Sequence, residues 1–161
     1  MTGNEKHLDA AYKYWAANKS RDAGRVIFEH LPIEVRAIWA ADILEAVTQQ
    51  TKVDSAPIYQ ILQIARRPTE WAKAHDAFDV ARDQLLKLLD IKVPSIEEEL
   101  LVDQLGLAEL VAKVVYNLSN PPDPFDEDAP WSIAAVVRDI IELVDDQEFT
   151  DLMWRKLQFI S

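Results

Sequence analysis

The chain has 161 residues, of which 49% are hydrophobic and 28% charged, and its formal net charge is -11 at pH 7. This length is typical of one domain with a sizeable core, and the hydrophobic fraction excludes a disordered acidic chain. The absence of cysteine excludes disulfides, iron–sulfur clusters, thiolate metal centres and cysteine nucleophiles.

The sequence of the first half of the chain predicts a series of helices joined by short connections. Apolar residues recur at helical spacing, prolines fall between the apolar segments, and only three glycines occur. These features favour an all-α fold over a sheet or a nucleotide-binding α/β fold. The predicted helices span about 5–17, 20–30, 32–50 and 55–67, and a long fifth helix begins at Pro68.

The third predicted helix is apolar on two faces. Ala37, Ala40 and Leu44 lie on one stripe, and Trp39 and Ile43 on another. Such a helix is either central in the bundle or docks a partner. Tryptophan is enriched at interfaces, so Trp39 is a candidate partner-binding residue.

The sequence of the second half predicts two helices separated at a glycine, then a loop and two further helices. Ser95 followed by Glu98 predicts the start of a sixth helix, which we expect Gly106 to end before a seventh. The proline-rich and acid-rich segment 119–130 predicts a stiff connection. The sequence therefore predicts a single all-helical domain over 1–161, a compact bundle of about eight or nine helices. An internal boundary between two helical subdomains at 119–130 is the alternative.

Few residue patterns suggest catalysis or a cofactor. The three histidines lack the partners that a histidine metal site would require, so we expect no cofactor. His75 and Asp79 stand one helical turn apart, which predicts an ordinary ion pair. The alternative function is a Mg-dependent all-α hydrolase of nucleotides or phosphoesters, with metal ligands at two acidic pairs, Glu142 with Asp145 and Glu148 with Asp151.

The net charge is concentrated in the second half of the chain. Residues 1–89 contain 12 basic and 12 acidic side chains, whereas residues 90–161 contain 5 basic and 16 acidic ones. An acidic surface attracts basic proteins and repels nucleic acid and anionic lipid. We therefore expect a basic protein partner, with no nucleic acid and no membrane. The candidate contacts are Asp126, Glu127, Asp128, Asp139, Glu142, Asp145 and Asp146, with Trp39.

The pattern favours a non-enzymatic protein over an enzyme. One concrete form is an immunity protein or an inhibitor that places carboxylates in the cationic active site of its target. We expect a monomer or a homodimer. The lack of cysteine and of an apolar leader-like stretch at the start of the sequence favours a cytoplasmic location.

Overall fold

The computed structural model describes residues 3–121 and 124–159, and this part of the chain contains eight α-helices and no β-strand. The predicted all-α bundle is therefore confirmed. The helices are α1 (Gly3–Ala16), α2 (Ser20–His30), α3 (Ile33–Thr51), α4 (Ala56–Ala65), α5 (Ala74–Leu89), α6 (Ile96–Ser119), α7 (Ser132–Val144) and α8 (Gln147–Leu157). Two short 3-10 helices, Pro68–Lys73 and Ala129–Trp131, precede α5 and α7.

Helix α6 begins as predicted but does not end at Gly106. The Ser95 hydroxyl accepts a hydrogen bond from the Glu98 amide at 3.1 Å, and the Glu98 carboxylate accepts one from the Ser95 amide at 3.0 Å. This is the predicted capping box. The predicted break is wrong, because α6 continues to Ser119. Leu105 and Leu107 are fully buried on either side of the glycine, and their packing outweighs the cost of about 1 kcal/mol for glycine in a helix.

Helix α3 is central in the bundle. It packs against α4, α6 and α8, and both of its apolar stripes are buried. Trp39 is 0% exposed, and its indole N–H donates a hydrogen bond to the Leu157 carbonyl of α8 at 2.8 Å. The proposed role of Trp39 as a surface anchor is therefore corrected. Its ring fills the core, and its polar atom is used within the protein.

Helix α2 makes its closest approach to the start of α7 at a glycine. A Cβ atom built on Gly24 would lie 2.6 Å from the Trp131 carbonyl oxygen and 2.9 Å from the Ala134 Cβ. Both distances are shorter than van der Waals contact. Glycine is therefore required here by the close packing of two backbones, not by a turn.

The segment 119–130 contacts α6 through a side chain. The Asn117 amide donates to the Phe125 carbonyl at 3.1 Å and accepts a hydrogen bond from the Phe125 amide. Helices on both sides of the segment contribute to one cluster of buried residues. Residues 122 and 123 lie outside the described part, and the subdomain boundary stays a prediction.

None of the helices in the described ranges is both long enough and apolar enough to cross a bilayer.

Candidate functional site

A groove of about 520 Å³ lies over α6, between the end of α5 and α7. Four carboxylates line it, two on each of two adjacent helices: Glu99 and Asp103 on α6, and Asp139 and Glu142 on α7. The rest of its lining is apolar, and consists of Leu88, Leu89, Ile91, Pro94, Val102 and Leu143. We call this site the acidic groove.

The four carboxylates of the acidic groove repel one another. Burial raises the pKa of Asp103 to about 6, with further contributions from the negative charges of Asp139 and Glu99. Burial also raises the pKa of Asp139, and the charge of Glu142 adds to this rise. Glu99 and Asp103 are partly buried, whereas Asp139 and Glu142 are more exposed. The acidic groove is therefore a site of concentrated negative charge at neutral pH.

No basic side chain in the described part of the chain forms an ion pair with these four carboxylates. Arg138 stands one turn before Glu142 on α7, and burial lowers the pKa of Arg138 while the charge of Glu142 acts in the opposite direction. However, the Arg138 guanidinium lies 3.7 Å from the centre of the Trp15 ring and donates a hydrogen bond to the Trp15 carbonyl at 2.6 Å. The Arg138 guanidinium is thus held against α1.

An exposed apolar patch adjoins the acidic groove. Leu89 is 59% exposed and Val93 is 87% exposed. The patch consists of five large apolar side chains between the last turns of α5 and the start of α6: Leu86, Leu89, Ile91, Val93 and Ile96. Two of them, Leu89 and Ile91, also line the groove. Single exposed apolar residues are common, but five within eleven residues beside a groove are typical of an interaction surface.

The structure separates the predicted partner-binding acids into different local environments. Asp139 and Glu142 lie in the acidic groove. Asp126 forms an ion pair with Lys113, with 3.1 Å between Oδ2 and Nζ. Glu127 lines a second groove of about 290 Å³ beneath the proline-rich segment, and Asp128 precedes the 3-10 helix before α7.

The acids at the α7–α8 corner have local structural roles. Asp145 ends α7 in the left-handed conformation, with φ 51°. The Asp146 carboxylate caps α8 by accepting a hydrogen bond from the Phe149 amide at 3.0 Å. These roles account for both residues without a ligand.

The four acids of the alternative metal hypothesis do not converge. Glu142 lies in the acidic groove, whereas Asp145 ends α7 and Glu148 lies in the first turn of α8. Asp151 accepts a hydrogen bond from Gln147 at 2.9 Å. No three of the four acids have oxygens within 4.8 Å of one another.

One group in the described part of the chain does meet that distance, namely His75, Asp76 and Asp79 on α5. His75 Nδ1 lies 3.8 Å from Asp79 Oδ2, which agrees with the predicted ion pair. The His75 ring packs edge-on against Phe125, with 4.8 Å between ring centres. Because both acids are exposed and Asp76 lies in the first turn of α5, helix electrostatics and one ion pair account for the group.

Sequence reasoning did not identify the α6 half of the acidic groove. Glu99 and Asp103 are four residues apart, so both lie on one face of a helix, and this spacing was available as a signal. The signal was weak because Glu97 and Glu98 precede them, and a run of acids at a helix start normally stabilises the helix dipole. The pairing of α6 with α7 was not readable from the sequence.

Comparison of this chain with protein-family models, with curated proteins and with solved structures finds no match.

Proposed function

We propose that this chain is a non-enzymatic cytoplasmic protein that binds a basic protein partner through the acidic groove. The observation that carries the proposal is the set of four carboxylates on α6 and α7 with which no described basic side chain forms an ion pair. A lysine or arginine from a partner would relieve their mutual repulsion. The interaction would also accelerate association, because long-range attraction between unlike charges steers the encounter.

The apolar lining supports a protein partner over a free metal ion. A hydrated metal ion gains nothing from Leu88, Leu89 or Leu143, whereas the long aliphatic stems of lysine and arginine pack against such side chains while their charged ends reach the carboxylates. An immunity-like or inhibitor-like role is the specific form of this proposal, since such proteins use carboxylates to occupy a cationic surface.

The test is affinity capture from a lysate of the source organism with three immobilised proteins. These are the wild type, the groove variant Asp103→Asn/Asp139→Asn and the control variant Asp22→Asn/Asp54→Asn. Asp22 and Asp54 are exposed and lie outside the groove, so the control makes the same change in net charge. We expect a basic protein that the wild type and the control retain, that the groove variant loses, and that is released as salt rises from about 50 to 500 mM.

Two outcomes would contradict the proposal. A basic protein retained equally by the groove variant would show that total charge, and not this groove, attracts it. Calorimetric binding of Mg²⁺ that the groove variant abolishes and the control keeps would favour a metal site formed by the groove carboxylates in its place. Misfolding would not explain a loss of binding by the groove variant, because removing like charges from the groove is expected to stabilise the fold.

A further inference from the structure

The apolar patch and the acidic groove overlap. Leu89 and Ile91 belong to both, and Val93 directly precedes Pro94, which lines the groove. Leu86 lies one turn before Leu89 on the same face of α5. A partner that occupied only the carboxylates would leave this apolar surface in water.

The carboxylates within each pair have helical spacing. Glu99 and Asp103 are separated by four residues of α6, a rise of about 6 Å, and Asp139 and Glu142 by three residues of α7, a rise of about 4.5 Å. Lysine or arginine residues three or four positions apart on a partner helix have the same spacing, and so do apolar residues on the adjacent stripe. An extended strand places same-face residues about 7 Å apart, which fits both pairs less well.

We infer that the partner segment is a basic amphipathic helix, which packs its apolar stripe on Leu86, Leu89 and Val93 and directs its basic residues to the carboxylates of the acidic groove. This inference rests on the proposed function and specifies the partner's chemistry. The interaction belongs to the class in which a helix lies in a groove, with apolar residues as anchors and charges setting orientation.

The test uses three synthetic peptides of equal length and equal positive charge. The first is an amphipathic helix with lysines at every third or fourth position and leucines along the adjacent stripe. The second has the same composition in a scrambled order that removes the stripe. The third replaces each leucine with serine. Binding of each labelled peptide to the full chain is measured by fluorescence anisotropy at about 100 mM salt.

A variant of the chain tests the contribution of the apolar patch separately from that of the carboxylates. Leu89→Ser/Val93→Ser removes apolar area from the patch without changing charge. Tyr59→Ser is the matched control, since Tyr59 is also an exposed apolar-bodied side chain but lies on α4 and lines a different pocket. We expect the amphipathic peptide to bind about tenfold more tightly than the other two peptides, and the patch variant to lose about tenfold in affinity while the control loses none.

The outcomes distinguish this inference from the proposed function. Equal binding of the serine peptide and the amphipathic peptide, with loss of both on Asp103→Asn/Asp139→Asn, would overturn the helix inference and leave the basic partner standing. Tight binding of the scrambled peptide would also overturn it. Failure of all three peptides to bind would overturn the inference, whereas the proposed function would still be decided by the lysate capture.

Discussion

Asp103 of α6 and Asp139 of α7 line the same groove, and the charge of Asp139 adds to burial in raising the pKa of Asp103 to about 6. The two carboxylates meet because α6 packs against α7. Like charges that form no ion pair with a basic side chain of the same protein lower the free energy of unfolding at neutral pH. Such a cost is common where a surface is shaped for a ligand of opposite charge.

Replacement of Asp103 by asparagine should stabilise the protein at neutral pH. The folded state binds the Asp103 proton more tightly than the unfolded chain, because the pKa rises from 3.8 to about 6 on folding. The wild type therefore loses stability as pH rises through this window. After allowance for solvent screening, we expect Asp103→Asn to add about 1–2 kcal/mol to the free energy of unfolding near pH 7.

Urea denaturation at about pH 3.5, 5 and 7 checks this prediction. The gain should be smallest at the lowest pH, where Asp103 is protonated in the folded state and largely protonated in the unfolded chain, and should grow between about pH 4 and 6. The exposed control Asp54→Asn should show no such growth. A gain that is independent of pH would contradict the assignment to this carboxyl.

Binding of a basic partner should weaken as pH falls through about 6. A cationic side chain in the groove favours the ionised form of Asp103, so binding releases a proton from the fraction of molecules in which this carboxyl is protonated. Titration calorimetry of the amphipathic peptide near pH 6, in buffers of different ionisation enthalpy, measures the proton release directly. Burial also raises the pKa of Asp139 in the same groove, so a residual pH dependence should remain in Asp103→Asn, but the number of released protons should decrease.

Gly24 and Gly106 should respond oppositely to alanine. A Cβ on Gly106 would meet no atom within 4 Å, so Gly106→Ala should stabilise α6 by about 0.5–1 kcal/mol through a less flexible unfolded chain. A Cβ on Gly24 would lie 2.6 Å from the Trp131 carbonyl oxygen, so Gly24→Ala should destabilise the fold by about 1–3 kcal/mol. Thermal unfolding followed by circular dichroism compares the two. Equal effects would contradict the observed packing of α2 on α7.

The hydrogen bond from Trp39 to Leu157 should stabilise the docking of α8 on α3. Phenylalanine at position 39 would remove the donor and leave the buried Leu157 carbonyl without this partner, at a cost of about 1–3 kcal/mol. The matched control is Trp154→Phe, because Trp154 is only half-buried and stacks on Trp15 at 5.0 Å. Guanidinium denaturation should show a clearly larger loss for Trp39→Phe, and equal losses would contradict the role of the hydrogen bond.

The helix positions were predictable because their signals are local. Ser95 and Glu98 lie three residues apart and need only each other to cap α6. The predicted break at Gly106 is wrong for the same reason. It rests only on the local cost of about 1 kcal/mol for glycine in a helix, and the packing of the buried neighbours outweighs this cost. The sequence predicts that the fifth helix starts at Pro68. In the structure Pro68–Lys73 form a 3-10 helix, and α5 begins at Ala74.

The candidate site was only half predictable. The charge of the second half predicts Asp139 and Glu142 as partner contacts but does not point to Asp103 and Glu99, and the structure excludes Trp39 as a partner contact because its side chain is buried. Amphipathic spacing shows that a helix has an apolar face, and α3 has two, so the pattern did not distinguish a central helix from one that docks a partner.

The sequence by itself determined the all-α class, the main helix starts and the excess of acid in the second half, because periodicity, caps and charge depend on residues close in the chain. Only the tertiary structure decided which acids meet. Asp103 and Asp139 are 36 positions apart, and they line one groove because α6 packs between α5 and α7 while Arg138 is held by Trp15. Long-range packing sets these distances, and electrostatic energies depend on distance and burial.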